Sequence, residues 1–333
     1  MSTPNPNPPE YGAPEPTSTT ATTAGPAIPA GWPPSYRRGG SGGYGKPQPG
    51  TPWAPDVRPG RFLWRDLLAV LAYIGLFVIG LGSLFIAIPG AMDVAAAIAG
   101  TEPTTPEQMV ADPGSASSSA ALFFVNLVNY SLLALLALLA SGGHLIQSMA
   151  TFRRLWGLKL LLIPGLWLGS ITLSMLIVMF LGDPVTSDNQ AALEGMTTVV
   201  PMWMMLLVTV VLGPFVEEYL FRHLLVGKLS RYLTVWVTAP LSVLLFGGIH
   251  FLGSGTFDVI AAVPYVVLGA VITGTYIAFR FSLAYAYALH LFNNLVAVLM
   301  LYLVYPVLEQ YREMLPDGTL PGVVSALRLM TGV

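Results

Sequence analysis

With 333 residues, 54% of them apolar and only 10% charged, and a mean hydropathy of +0.67, the chain lies far from the roughly quarter-charged make-up of a soluble domain. A formal net charge of -2 removes the case for nucleic acid or another polyanion as a partner. The absence of cysteine excludes disulfides, a catalytic thiol and thiolate-bound zinc or iron–sulfur centres. What remains is an all-α, polytopic transmembrane helical bundle, an integral membrane protein in contact with the lipid bilayer.

Residues 1–60 are rich in Pro, Gly, Ser and Thr with scattered aromatics, among them Tyr11, Trp32, Tyr36, Tyr44 and Trp53. Such a composition buries too little apolar area to offset the entropy of ordering, and a disordered tail is expected. It lacks the basic start, apolar core and small-residue cleavage site of a secretory signal, so it is expected to stay on the mature protein. Its composition names no partner for it.

Residues 61–333 form the expected transmembrane domain. Seven apolar runs approach the roughly 20 residues needed to cross a bilayer. In chain order they are Leu67 to Ile88, Ala120 to Ala140, Leu160 to Leu181, Met202 to Leu229, Leu233 to Leu252, Val259 to Phe279, and Leu283 to Tyr305. Basic residues fall on alternate sides of them: Arg58, Arg61 and Arg65, then Arg153, Arg154 and Lys159, then Lys228 and Arg231, then Arg280. The loops between carry Asp93, Glu102, Glu107 and Asp112, then Asp183, Asp188 and Glu194, without Lys or Arg. The positive-inside rule therefore predicts a cytoplasmic N-terminus in the cell membrane. An odd number of spans leaves the stretch from Pro306 on the opposite side, unless its apolar residues lie along the membrane surface.

Ionisable residues inside apolar runs cost at least a few kcal/mol and usually face a protein interior or a wet cavity. Three such groups stand out. In the fourth run, Glu217 and Glu218 are adjacent and Arg222 follows. Glu218 and Arg222 have the acid-first i, i+4 spacing of a helical ion pair, whereas Glu217 points about 100° away round the helix. One carboxylate would be held by the guanidinium and the other left free to act as a general base. Packing alone, with Arg222 reaching toward the interface, would account for a single such charge.

In the fifth run Phe246 precedes His250 by one turn, with Gly247 and Gly248 between them to admit a neighbouring helix. In the seventh, His290 and Asn294 lie at i, i+4 on one face, an imidazole and an amide able to serve a developing oxyanion. Each also suits interhelical hydrogen bonding. Together they supply the parts for activating water and stabilising a tetrahedral intermediate. Glu217 lies about 22 Å along its helix from Met202 and His290 about 10 Å from the start of its own, both near mid-membrane depth. His250 falls too close to the outer end, unless its helix starts later, at Pro240, or tilts. His144 and His223 sit beside basic loops, read as interfacial, and receive no chemical role.

These stretches resemble the signature of the CPBP family, the CAAX-protease and bacteriocin-processing membrane endopeptidases also called the Abi family. Its Glu-Glu-x-x-x-Arg, Phe-x-x-x-His and His-x-x-x-Asn elements match, in order, Glu217 to Arg222, Phe246 to His250 and His290 to Asn294. The resemblance spans about residues 200–300. It implies an intramembrane endopeptidase acting on a membrane-associated protein or peptide; eukaryotic relatives trim lipidated CAAX-type termini, and many bacterial relatives have no such obvious substrate. It also implies that Glu217 activates water with His250, that His290 and Asn294 stand at the oxyanion, and that Glu218 and Arg222 buttress them. The family is commonly filed as metalloproteases, although a metal-independent glutamate mechanism has been argued for it. Zinc held by Glu217, His250 and His290 is therefore an open candidate, but no His-Glu-x-x-His helix is present. Two readings from other classes compete: a proton- or cation-coupled transporter, and a non-catalytic immunity or scaffold protein whose polar residues only join helices.

Overall fold

The computed structural model describes residues 56–183, 185–252 and 257–314, all within one unit, Gly42–Val333. Most of the expected tail, residues 1–55, and the C-terminal stretch from residue 315 lie outside the described residues. Every described element is helical. The first apolar run forms α1 (Trp64–Tyr73), extended by a π-helical turn (Ile74–Val78), and then a 3-10 segment (Leu81–Ala87) bent 66° from it. The bend falls at Gly80, whose φ of 82° is open to glycine at little cost. Two short helices, α2 (Ala91–Ala99) and α3 (Pro106–Ala111), occupy the first acidic loop. They lead to α4 (Ala116–Ser148), α5 (Trp156–Leu181) and α6 (Asp188–Thr197), the last in the second acidic loop.

The fourth run alternates helix types: α7 (Met202–Met205), a π-helical segment (Leu206–Leu212), α8 (Gly213–Glu217) and a second π-helical segment (Glu218–Lys228). Pro214 offers no N–H and its ring crowds the carbonyl four residues back, so the widened turn before it relieves a strain that a regular α-helix would carry. After it come α9 (Val235–Ile249), α10 (Val259–Ala278) and α11 (Leu283–Leu299), the last running through a π-helical turn (Met300–Val304) into α12 (Tyr305–Met314).

All seven apolar runs are thus helical, but they do not all cross alike. Five helices are long and apolar enough on their own: Ala116–Phe152, Trp156–Leu181, Met202–Arg231, Val259–Ala278 and Leu283–Leu308. A sixth span results if the bent pair over the first run counts as one. The fifth run is the exception. Its helix α9 has 15 residues, about 22 Å at 1.5 Å per residue, against a hydrocarbon core of about 30 Å. Gly247 and Gly248 weaken the end of this helix, and His250 stands as its C-terminal cap residue. The later start considered at Pro240 is not adopted, because α9 begins at Val235 and Pro240 lies inside it. A short helix, rather than a late one, sets the depth of His250.

Helices α9 and α10 pack closely along Gly247, where an added Cβ would fall 2.9 Å from Val266 Cγ2; at Gly248 nothing lies within 4 Å. Only the first of the two glycines therefore serves the close approach read from the sequence. A second cluster joins Phe123 of α4, Met196 of α6, Met205, Val208 and Val210 of the fourth span, and Val298 of α11, which seats α6 firmly on the bundle. Gly247→Ala should lower stability by about 1–3 kcal/mol through overpacking against a stiff β-branched neighbour. Gly248→Ala should stay within about 0.5 kcal/mol of the parent, both read from thermal unfolding in detergent micelles.

Candidate active site

Glu218 and Arg222 sit one turn apart in the second π-helical segment, and both are fully buried. Arg222 Nη1 donates to Glu218 Oε1 at 2.9 Å, and Arg222 Nη2 donates to the Gly269 carbonyl of α10 at 3.2 Å. The guanidinium lies over the Phe246 ring, 4.3 Å from its centroid, a stacking that adds cation–π attraction in a desolvated setting. Arg222 therefore does not reach toward the interface. The same Glu218 oxygen meets His290 Nδ1 at 2.8 Å. A carboxylate facing a ring nitrogen at this distance accepts, so Nδ1 carries a proton, and Nε2 faces the other side of the ring.

That other side faces Glu217. Glu217 Oε2 is 3.8 Å from His290 Nε2, and its Oε1 accepts from the Tyr130 hydroxyl at 3.3 Å. The two glutamates thus take the separate environments that their spacing suggested: Glu218 in the arginine's grip, Glu217 toward a cavity. This cavity has a volume of about 430 Å³ and is lined by Glu217, His250, His290 and Asn294 together with Tyr130, Tyr265, Thr209 and other residues.

His250 approaches the cavity from the end of α9. Its Nδ1 lies 2.8 Å from the Phe246 carbonyl, which can only accept, so Nδ1 is again the protonated nitrogen and Nε2 is the one with a free lone pair. Its ring stacks on Tyr265 at 4.1 Å between centroids. Asn294 Nδ2 donates to the Thr209 carbonyl at 2.8 Å, and its Oδ1 accepts from Asn293 at 3.1 Å, which fixes the amide and leaves its second N–H available. Phe246, fully buried, touches Arg222, His250 and His290 alike, with centroids 5.2 Å and 5.5 Å from the two imidazoles. The three motifs therefore meet at one site. Within it Glu217 contacts His290 and Tyr130 directly, whereas its sequence-expected partner His250 lines the same cavity.

The zinc candidate can be tested against these donors. Among the described residues no group of three or more His, Cys, Asp or Glu is gathered closely enough to hold a metal ion. Glu218 and both Nδ1 atoms are committed elsewhere, and of the remaining donors Glu217 and His290 approach each other at 3.8 Å without His250 joining them as a third. The arrangement does not fit a ready metal cage, and no step below is routed through one.

Some contributors escaped the sequence reading. Tyr130 and Asn126 of α4 reach the cavity one turn apart, and their polar spacing inside an apolar run was the signal. Asp66, fully buried at the start of α1, accepts from Tyr219 at 2.9 Å and from Lys228 at 2.7 Å; a lone acid at the head of an apolar run was its only mark. His144 and His223, read from the sequence as interfacial, are buried within the protein, with ring centroids 4.5 Å apart.

The fold and the site define an integral membrane protein built round a buried cavity that gathers a carboxylate, two imidazoles and an amide. Residues 199–296, which include all three motifs, match the family model of the type II CAAX prenyl endopeptidase, Rce1-like. The resemblance to CAAX-type proteases drawn from the motifs holds over that segment, and the match supports a CAAX-type membrane protease. The chain has no significant match among curated proteins or among solved structures.

Removing the guanidinium strands a buried carboxylate. Arg222→Met should therefore cost about 3–5 kcal/mol in denaturant titrations of the micellar protein, and adding Glu218→Gln should restore most of the loss.

Proposed function

We propose that the chain is an intramembrane endopeptidase that hydrolyses a peptide bond of a membrane-associated protein or peptide, lipidated CAAX-type termini being one candidate class. The reading rests on one observation: Glu217, His250, His290 and Asn294, from three separated motifs, line a single buried cavity. The family match over residues 199–296 supports the same reaction class.

In this reading Glu217 takes a proton from a water molecule whose other hydrogen is accepted by His250 Nε2. The hydroxide attacks the peptide carbonyl carbon. The resulting oxyanion receives hydrogen bonds from the second N–H of Asn294 and from Nε2–H of His290, which in this reading enters the cycle with a proton on each ring nitrogen and keeps both throughout. Glu217 then passes its proton to the departing amine as the C–N bond breaks. Glu218 and Arg222 touch no reacting atom; they hold the His290 ring so that Nε2 faces the cavity. Tyr130 orients the Glu217 carboxylate. Phe246 keeps water from the back of both imidazoles.

Replacing Glu217 by Gln keeps the shape and removes the base. Cleavage of a reconstituted peptide library should fall by about 10²- to 10⁴-fold, with unfolding behaviour unchanged. Equal cleavage by wild type and Glu217→Gln would overturn Glu217 as the base, and cleavage by neither would return the chain to a transport or scaffold role. The reaction is written with the chain's own groups, so cleavage should persist in a strong zinc chelator; its loss would reinstate zinc held by Glu217, His250 and His290. Tyr130→Phe, which removes one hydrogen bond worth about 1 kcal/mol, should lower cleavage about five-fold.

A further inference from the structure

The cavity lies toward one side of the bundle for the fourth span, α4, α9 and α10, while α11 contributes His290 and Asn294 from about its middle. The fourth span contributes Met205, Val208, Thr209, Gly213 and Glu217, and nothing after Glu217. Helix α4 contributes residues from Leu122 to Tyr130, in its first half, and α10 contributes Tyr265 and Leu268, in its first half as well. All three helices begin at acidic loops. Helix α6, within such a loop, adds Asp188, Asn189, Ala192, Leu193 and Met196 as a roof. It is fastened there by Ser187, whose hydroxyl lies 2.7 Å from that of Tyr265.

Three of the lining residues are exposed: Leu122, Asp188 and Leu252. Each stands at the acidic-loop end of the bundle, in the second turn of α4, at the first residue of α6 and just past α9. Toward the basic loops the interior is closed. Below Glu217 come the Glu218–Arg222 pair, then Tyr219, His144, His223, Tyr276 and the Asp66–Lys228 pair, all buried. Beneath them, residues 56–59 cross the basic face: Val57 N donates to the Arg280 carbonyl at 3.2 Å, Arg280 pairs with Asp56 at 2.8 Å, and Arg231 donates to the Pro59 carbonyl at 2.7 Å. An added Cβ at Gly227 would fall 2.5 Å from both Pro59 Cγ and the Tyr276 hydroxyl. That layer leaves no room for a peptide.

We infer that substrate reaches Glu217 from the acidic-loop face, beside α6, as a peptide segment with apolar residues in the cavity and neutral or basic flanks. The inference rests on the peptidase reading. The flanks follow from charge: the loops over residues 88–115, 182–201 and 250–258 hold Asp93, Glu102, Glu107, Asp112, Asp183, Asp188, Glu194 and Asp258, and no Lys or Arg. Such a face attracts cations and opposes acidic approach. By the positive-inside rule it is the non-cytoplasmic face. The substrate class is thereby a segment presented outside the cytoplasm.

The absence of native cysteine allows a direct test. Asn126→Cys puts a thiol on the cavity wall, away from the reacting groups, and Arg154→Cys puts one on a basic loop. Sealed membrane vesicles of both orientations are treated with a membrane-impermeant maleimide. Asn126→Cys should react from the face opposite to Arg154→Cys, which should itself react only from the cytoplasmic face. Labelling of Asn126→Cys from the same face as Arg154→Cys overturns the inference. So does labelling from neither face while the unfolded variant reacts. Wild type in detergent is then given quenched fluorescent peptides with one apolar core and either Lys or Glu flanks. Lys flanks should be cleaved faster, by a margin that shrinks as salt rises; equal or reversed rates overturn the charge preference. Cleavage of neither peptide, with labelling from the acidic-loop face, would refute the peptidase reading and the substrate class while keeping the position of the mouth.

Discussion

One carboxylate oxygen, Glu218 Oε1, joins the parts of this bundle that matter for chemistry. It accepts from Arg222 at 2.9 Å and meets His290 Nδ1 at 2.8 Å. Arg222 in turn reaches the Gly269 carbonyl and the face of Phe246. The fourth span, α9, α10 and α11 are thus fixed to each other by one ion pair and its satellites. A charge buried in a low-dielectric interior is tolerated only with its partners in place, so helices that would otherwise slide against one another have few alternatives to this register. The position of His290, and through it the surroundings of Glu217, is inherited from the pair next door.

The same constraint explains why the polar groups form layers. Closest to the basic loops, Asp66 gathers Leu63 N, Tyr219 and Lys228 and so ties the head of α1 to the fourth span. One step deeper lies the Glu218 network, and only beyond it does space open. Each closed layer has its charges matched; the cavity is where matching stops, with Glu217 held by a 3.3 Å contact to Tyr130 and a 3.8 Å approach to His290. Looseness at that point is consistent with a group that must accept something from outside the protein.

Much of this was legible in the sequence wherever the information was local. Hydropathy located the seven apolar runs but not the loop helices α2, α3 and α6, and i, i+4 spacing inside apolar stretches singled out Glu218 with Arg222 and His290 with Asn294. Contacts across helices were not legible. Asp66 and Lys228 are separated by 162 positions, and no periodicity links them. Tyr130 and Tyr265 look like ordinary aromatic residues of a span until their hydroxyls are seen to meet Glu217 and Ser187. Proximity to basic loops misplaced His144 and His223, since sequence distance from a charge says nothing of which face of a helix is covered. A hydrophobic window also cannot tell a full crossing from α9, because it counts apolar residues without seeing the glycines end the helix.

Helix type does what composition alone would not. Glu217 closes α8 and Glu218 opens the π-helical segment that runs to Lys228, so the change of winding falls between the two glutamates. A π-helix bonds i to i+5 and takes more residues into each turn than an α-helix. Tyr219 and Lys228 both find the single carboxylate of Asp66, which the wider π-helical winding brings within reach by shortening the axial distance between them. Regular α-helical winding would carry Lys228 further from Tyr219 at 1.5 Å per residue and would rotate the two off a common face. Without that winding the Asp66 anchor and the Glu218 network would compete for register. Pro214, lacking an N–H, already permits the widened turn on the other side of Glu217. The base of the proposed reaction therefore sits on a short α-helical step between two π-helical stretches, and its geometry depends on where the helix changes its hydrogen bonding as much as on which residues surround it.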